Sequence, residues 1–247
     1  MNRAPLILGH RGVPTRAPEN TLVGFREAIE LGADGIELDV HLSRDGHLMV
    51  IHDERLERTT DGSGLVGEKS LAELAELNAA AKFGHDFETQ TIPTLDQVFD
   101  AVGDACRLIN IEIKSGVALY PGIEEKLVQF ARRRRVQNQV LFSSFNHYSL
   151  LALKKLAPEM AIGLLYIGAL VDPWHYARRL GAEALHPIHF TVFPEIVAGA
   201  HAAGVQVNPW TIDSPGDIRR MLASGVDAII TNDAALAIRM REEESMR

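Results

Sequence analysis

The chain has 247 residues, 46% of them apolar, and 25 Lys and Arg against 33 Asp and Glu give a formal net charge of −8. That composition excludes wholesale disorder and does not suit a polynucleotide partner unless the basic residues cluster. The one basic run, Arg132 to Arg135, falls at a predicted helix end, where the dipole favours it, and reads as solvated surface. No segment approaches the roughly 18 apolar residues of a membrane span. The run Leu6-Ile7-Leu8 is too short for a secretion-signal core, and the single Cys106 permits no internal disulfide. The expectation is a cytoplasmic protein with no stable membrane insertion and no nucleic-acid partner, monomeric or homodimeric.

In chain order, Leu6 to Gly12 reads as a strand ending in a glycine turn, and Thr21 to Leu31 as a helix capped by Asn20 or Thr21. Gly35 to Val40 is the second strand. The Asp45-Gly46 turn then sends the extended run Leu48 to His52 back over the core. Residues 54–93 break the rhythm, with a polar turn at Thr59 to Gly64 and a short helix at Leu71 to Leu77. This stretch is too small for an independent domain and reads as a cap on the main fold, with Lys82, Phe83 and Phe87 expected to roof one side of the mouth.

Beyond it the alternation is regular. Helices are predicted at Leu95–Val102, Ile123–Arg135, Tyr148–Leu156, Trp174–Leu180, Phe193–Ala203, Ile218–Ala223 and Ala235–Met240. Strands are predicted at Arg107–Lys114, Val140–Phe145, Ala161–Ile167, Ala184–Pro187, Val205–Trp210 and Ala228–Thr231. Eight core strands, each followed by a helix, predict an α/β fold, a (β/α)8 TIM barrel spanning 1–247 as a single domain with a small insertion, 54–93, after the second barrel strand. A doubly wound dinucleotide fold would place Gly-x-Gly-x-x-Gly after the first strand, where this chain has His10-Arg11-Gly12-Val13-Pro14.

Strand alternation puts Glu37 and Asp39 on one face, opposite Ile36, Leu38 and Val40, and puts Asn110, Glu112 and Lys114 opposite Ile109, Ile111 and Ile113. The face toward the helices must be apolar, so the carboxylates point into the barrel. Three converging carboxylates repel one another unless Lys114 and Arg11 neutralise them as a buried network, or a hard cation with oxygen ligands sits among them. His10 and His52 fall at strand ends, and histidine is the ordinary acid and base near neutral pH. His186, at the end of the sixth barrel strand, and Trp210, at the end of the seventh, are candidates for substrate contact. His41, His47, His85, His147, His175, His189 and His201 read as surface or packing.

An ordered series of motifs resembles the glycerophosphodiester phosphodiesterase family, and in particular its small bacterial cytoplasmic type. The series comprises His10-Arg11-Gly12, Pro18-Glu19-Asn20-Thr21, Glu37-Leu38-Asp39-Val40, Asp45-Gly46, His52-Asp53 and Leu56-Glu57-Arg58-Thr59-Thr60. It continues through Gly62-x-Gly64, Ile92-Pro93-Thr94-Leu95, Asn110 to Lys114, Ser143-Ser144-Phe145, Trp210-Thr211 and Gly225-Val226-Asp227, covering roughly residues 5 to 235.

The resemblance implies a metal-dependent barrel phosphodiesterase. Glu37, Asp39 and Glu112 would bind one divalent cation, Mg2+ or Ca2+, Arg11 and Lys114 would hold phosphoryl oxygens, and His10 and His52 would be the acid–base pair. The implied substrate is a small glycerophosphodiester, cleaved to sn-glycerol 3-phosphate and an alcohol. His186-Pro187 and Asn208-Pro209 depart mildly from the family pattern, at positions that bear on the alcohol. The rival classes are a lyase that stops at a cyclic phosphate and a non-enzymatic binding barrel. The second would be expected to lack one of the inward carboxylates or mouth histidines, and none is missing.

Overall fold

The computed structural model describes residues 4–84, 87–115 and 120–246. His85 lies outside them. The strands are β1 (Leu6–His10), β2 (Gly35–Leu42), β3 (Leu48–Val50), β4 (Leu108–Ile113), β5 (Val140–Ser144), β6 (Ala161–Tyr166), β7 (Ala184–Pro187), β8 (Gln206–Val207) and β9 (Ala228–Thr231). The helices are α1 (Leu22–Glu30), α2 (Leu71–Ala75), α3 (Leu95–Val102), α4 (Ile123–Arg134), α5 (His147–Leu156), α6 (Pro173–Leu180), α7 (Pro194–Ala202), α8 (Pro215–Ser224) and α9 (Ala234–Ser245).

Eight strands pair in the order β8-β7-β6-β5-β4-β2-β1-β9, all parallel, and β3 runs back antiparallel on β2. The ring between β8 and β9 is joined by Asp227 N donating to the Val207 carbonyl at 2.9 Å and Ile230 N to the Pro209 carbonyl at 3.1 Å. The result is the nearly closed (β/α)8 barrel that the alternation predicts. Strand β8 is shorter than expected because Pro209 has no N–H to continue a ladder; Asn208 and Trp210 still donate singly to Leu185 and Pro187. Helix α9 runs five residues past the predicted Met240. The apolar period stops there, but Arg241 and the glutamates that follow are good helix formers, and Arg241 is held by the Pro5 carbonyl and Asp34.

The isoleucine faces of β2 and β4 turn outward and are buried under the helices in one continuous core with Phe25, Phe99, Phe130 and Phe142. Inside the barrel, Leu8, Ala228 and Ile230 form an apolar plug with Leu6 and Leu108 packed against it. One layer toward the carboxyl ends of the strands, the interior turns polar. Met49 of β3 and the segment between β3 and α3 share a small core of their own, Met49, Ile51, Leu56, Val66, Leu74, Ala79 and Ile92.

Candidate active site

Parallel register assembles the site. His10 lies beside Glu37 and Glu37 beside Asn110, while one step further along the strands Asp39 lies beside Glu112 and Glu112 beside Ser143. One carboxylate oxygen each from Glu37, Asp39 and Glu112 falls within 4.8 Å of the others. Asp39 is wholly buried and Glu37 nearly so.

Two cations border the cluster. Lys114 Nζ lies 2.8 Å from Glu112 Oε1 and 3.4 Å from Asp39 Oδ1, and Arg11 Nε lies 3.4 Å from Asp39 Oδ2. Arg11 turns off the end of β1 in the left-handed region, at φ 54°, with its N–H on the Glu37 carbonyl at 2.9 Å. Such a backbone is costly for a side-chain-bearing residue and is found where function demands it. Gly12 makes the turn possible: a Cβ there would stand 2.7 Å from the backbone of Gly24.

The electrostatics are those of a site short of positive charge. Burial raises Glu112 to about 7 in spite of Lys114, and burial with the neighbouring Asp39 and Glu112 raises Glu37 well above the carboxylate range. Burial opposes ionisation of Asp39 too, but Lys114 and Arg11 outweigh it and hold that group well below its ordinary value. Asp39 Oδ1 and Asn110 Oδ1 are buried without a hydrogen-bond partner. An all-oxygen donor set, excess negative charge and unsatisfied oxygens together fit a hard metal ion.

The expectation of a His10–His52 acid–base pair as the catalytic centre is corrected here: the cluster the fold gathers is Glu37, Asp39 and Glu112. Each imidazole is oriented through Nδ1, His10 by Asn232 Oδ1 at 2.7 Å and His52 by Asp53 Oδ1 at 2.5 Å. Burial, assisted by Arg11, lowers His10 to about 4, and burial lowers His52 as well. Proton transfer near neutral pH favours a group whose pKa lies near the working pH, and His10 is far from it. Both rings serve as walls of the mouth.

Two adjoining cavities open there, of about 190 and 80 Å³, sharing His52, Glu112, Lys114 and Phe145. The smaller is also lined by His10, Arg11, Glu37 and Trp210. Trp210 is fixed by its indole N–H, which donates to the His186 carbonyl at 2.9 Å, and it meets Phe145 edge to face at 5.5 Å. His186 itself is wholly buried and lines neither cavity. Its Nε2 lies 3.2 Å from Asn208 Nδ2, and burial lowers the ring to about 3. Lys82 and Phe83 line a separate cavity with Pro14, Pro18 and Arg58, and Phe87 packs edge to face on Phe83 at 5.0 Å.

Several site residues escaped the sequence reading. Thr21 caps α1, which frees Asn20, at φ 54°, to donate to Asp39 Oδ2 at 2.9 Å. His41, read as surface or packing, is buried at the cavity wall with Nε2 2.9 Å from the His52 carbonyl and Nδ1 2.8 Å from the Tyr120 hydroxyl. The carbonyl can only accept, so Nε2 carries the proton and Nδ1 accepts from Tyr120. The signal was available: His41 shares the strand parity of Glu37 and Asp39.

The model of the glycerophosphoryl diester phosphodiesterase family matches residues 10–236. The chain belongs to that family. Within it, the chain is 52% identical to a glycerophosphodiester phosphodiesterase of Caldanaerobacter subterraneus subsp. tengcongensis, over 95% of this chain and 97% of the relative. A phosphodiesterase from Oleispira antarctica, solved in complex with the product sn-glycerol-3-phosphate, superposes with a TM-score of 0.84 at 30% identity, covering 97% of each chain. A glycerophosphodiester phosphodiesterase from Agrobacterium tumefaciens gives the same TM-score at 28% identity, covering 95% of this chain and 99% of that one. Among the described residues no helix is long and apolar enough to cross a membrane.

Proposed function

We propose that the chain hydrolyses glycerophosphodiesters to sn-glycerol 3-phosphate and an alcohol, with one divalent cation, Mg2+ or Ca2+, held by Glu37, Asp39 and Glu112. The observation that carries this reading is the meeting of these three carboxylates between Arg11 and Lys114 at the barrel mouth. Family membership and the product-bound Oleispira relative support the substrate class.

The cation supplies Lewis-acid polarisation of the phosphodiester. The residues of the chain do the rest. Arg11 and Lys114, both largely shielded from solvent, bind the anionic phosphoryl oxygens in a setting of low dielectric, where each contact counts for more than in water. The Trp210 indole, tied to the His186 carbonyl, and Phe145 form an apolar wall beside the reacting group. Water adds to phosphorus and gives up a proton, the bond from phosphorus to the alcohol oxygen breaks and that oxygen takes up a proton, so glycerol 3-phosphate and the free alcohol leave with the glycerol ester bond intact.

The test is a panel of glycerophosphocholine, glycerophosphoethanolamine, glycerophosphoglycerol, a lysolipid, a cyclic nucleotide and single-stranded DNA, offered to chelated protein and to protein resupplied with Mg2+ or Ca2+. Cation-dependent release of glycerol 3-phosphate from the glycerophosphodiesters is expected. Phosphorus NMR showing a cyclic phosphate as the final product, or activity unaffected by chelation, would overturn the proposal.

A further inference from the structure

The stretch Leu56 to Gly64 takes no part in the proposed chemistry, yet it is built with care. Leu56 N donates to the Gly64 carbonyl at 3.1 Å, and Thr60 returns both its N–H and its hydroxyl to the Leu56 carbonyl, at 3.1 and 2.8 Å. Gly62 N donates to Thr60 Oγ1 at 2.9 Å and Gly64 N to Glu57 Oε1 at 3.1 Å. Leu56 and Thr60 anchor this buckle in the interior of the inserted segment.

From the buckle Arg58 reaches the mouth and binds two carboxylates at once. Its Nε and Nη2 donate to Asp53, at 2.5 and 3.1 Å, and its Nη1 and Nη2 to Glu19, at 2.9 and 2.7 Å. Each carboxylate has a second partner on the site side. Asp53 Oδ1 receives His52 Nδ1 at 2.5 Å, and Glu19 Oε1 receives Arg11 Nη1 at 3.1 Å. A half-exposed ion pair contributes little to stability as a rule, but a doubly bidentate guanidinium fixes geometry.

We propose that Arg58 is a positioning residue: the buckle presents its guanidinium so that Glu19 and Asp53, and through them Arg11 and the His52 ring, are held where the phosphodiester binds. The proposal rests on the reading that Arg11 takes phosphoryl oxygens. Without Arg58, Glu19 keeps Arg11 as its remaining hydrogen-bonded cation and draws that guanidinium away from Asp39 and from the substrate. Lysine cannot substitute, because one ammonium cannot pair in bidentate fashion with two carboxylates.

The experiment compares wild type, Arg58→Lys, Arg58→Gln and Arg58→Lys combined with Glu19→Gln, all in the full chain. It measures kcat and KM for glycerophosphocholine with the cation, the Kd of inorganic phosphate for chelated protein by calorimetry, and Tm. Both single variants should raise KM and the phosphate Kd about tenfold, the loss of one charge-assisted contact, with a smaller change in kcat and Tm close to wild type. Glu19→Gln should recover part of that loss, because it removes the competing pull on Arg11. Unchanged KM and phosphate Kd in Arg58→Lys, or a kcat loss that tracks a fall in Tm and is not recovered by Glu19→Gln, would overturn the proposal. A wild type inactive on glycerophosphodiesters would count against the proposed function instead, and the phosphate Kd series would still decide the role of Arg58.

Discussion

Glu112→Gln should make the metal-free protein more stable. Folding raises this carboxyl from 4.5 to about 7, burial being the main cause, so the folded chain holds a proton that the unfolded chain releases. Stability therefore falls as pH rises from 4.5 through 7 and levels off above. At about 1.4 kcal/mol per tenfold change in proton affinity, the loss amounts to about 3 kcal/mol at pH 8. Glutamine removes the titration and keeps an oxygen to accept from Lys114 Nζ, 2.8 Å away in the parent. For a chain of this size the gain corresponds to a Tm increase of roughly 6–12 °C. The assay is thermal unfolding in chelator between pH 5 and pH 8.5. The advantage should shrink to about 1 kcal/mol or less at pH 5, and added Mg2+ or Ca2+ should raise the Tm of wild type more than that of the variant. A variant no more stable than wild type at pH 8, or a gain independent of pH, would refute the reasoning that this carboxylate is held at a cost in stability for the sake of a cation.

Asp39→Asn should act in the opposite direction, because its carboxylate is stabilised by Lys114 and Arg11 and its loss leaves both cations undercompensated. Urea unfolding at pH 7 should show a loss of about 3 kcal/mol, and turnover should fall by at least about 100-fold. Gly163→Ala would place a Cβ 2.5 Å from His186 Nε2 and 2.8 Å from Leu141 Cδ2. It should cost about 1–3 kcal/mol by the same measurement, and less in a His186→Ala background, since His186 fills the space that a side chain at 163 would need.

How much of this was legible in the sequence depends on how local each signal was. Period-two alternation in Glu37-Leu38-Asp39 and Asn110-Ile111-Glu112 fixed which side chains enter the barrel, and the strand–helix rhythm fixed the barrel itself, because both are properties of short windows. The same rule would have admitted His41 to the site. Strand parity does not say what the ring does there, and only its contacts with Tyr120 and the His52 carbonyl show it. Between Asn20 and Thr21 the capping rule allowed either, and tertiary structure chose Thr21 because Asn20 is needed by Asp39.

The amino-acid sequence by itself determined the barrel, the inward carboxylates and the family. Tertiary structure alone decided which groups act together. Register sets Asp39 against Glu112, the parallel pairing of β9 with β1 brings Asn232 to His10 from 222 residues away, and the buckle carries Arg58 to Glu19 across 39. Tertiary structure also changed what the residues are: His10 reads as an ordinary acid–base group in the sequence, but burial beside Arg11 makes it a weak base, while burial beside Asp39 makes Glu112 a reluctant acid. Proton affinity depends on solvation and on charges brought near by the fold, and neither is written in the order of the residues.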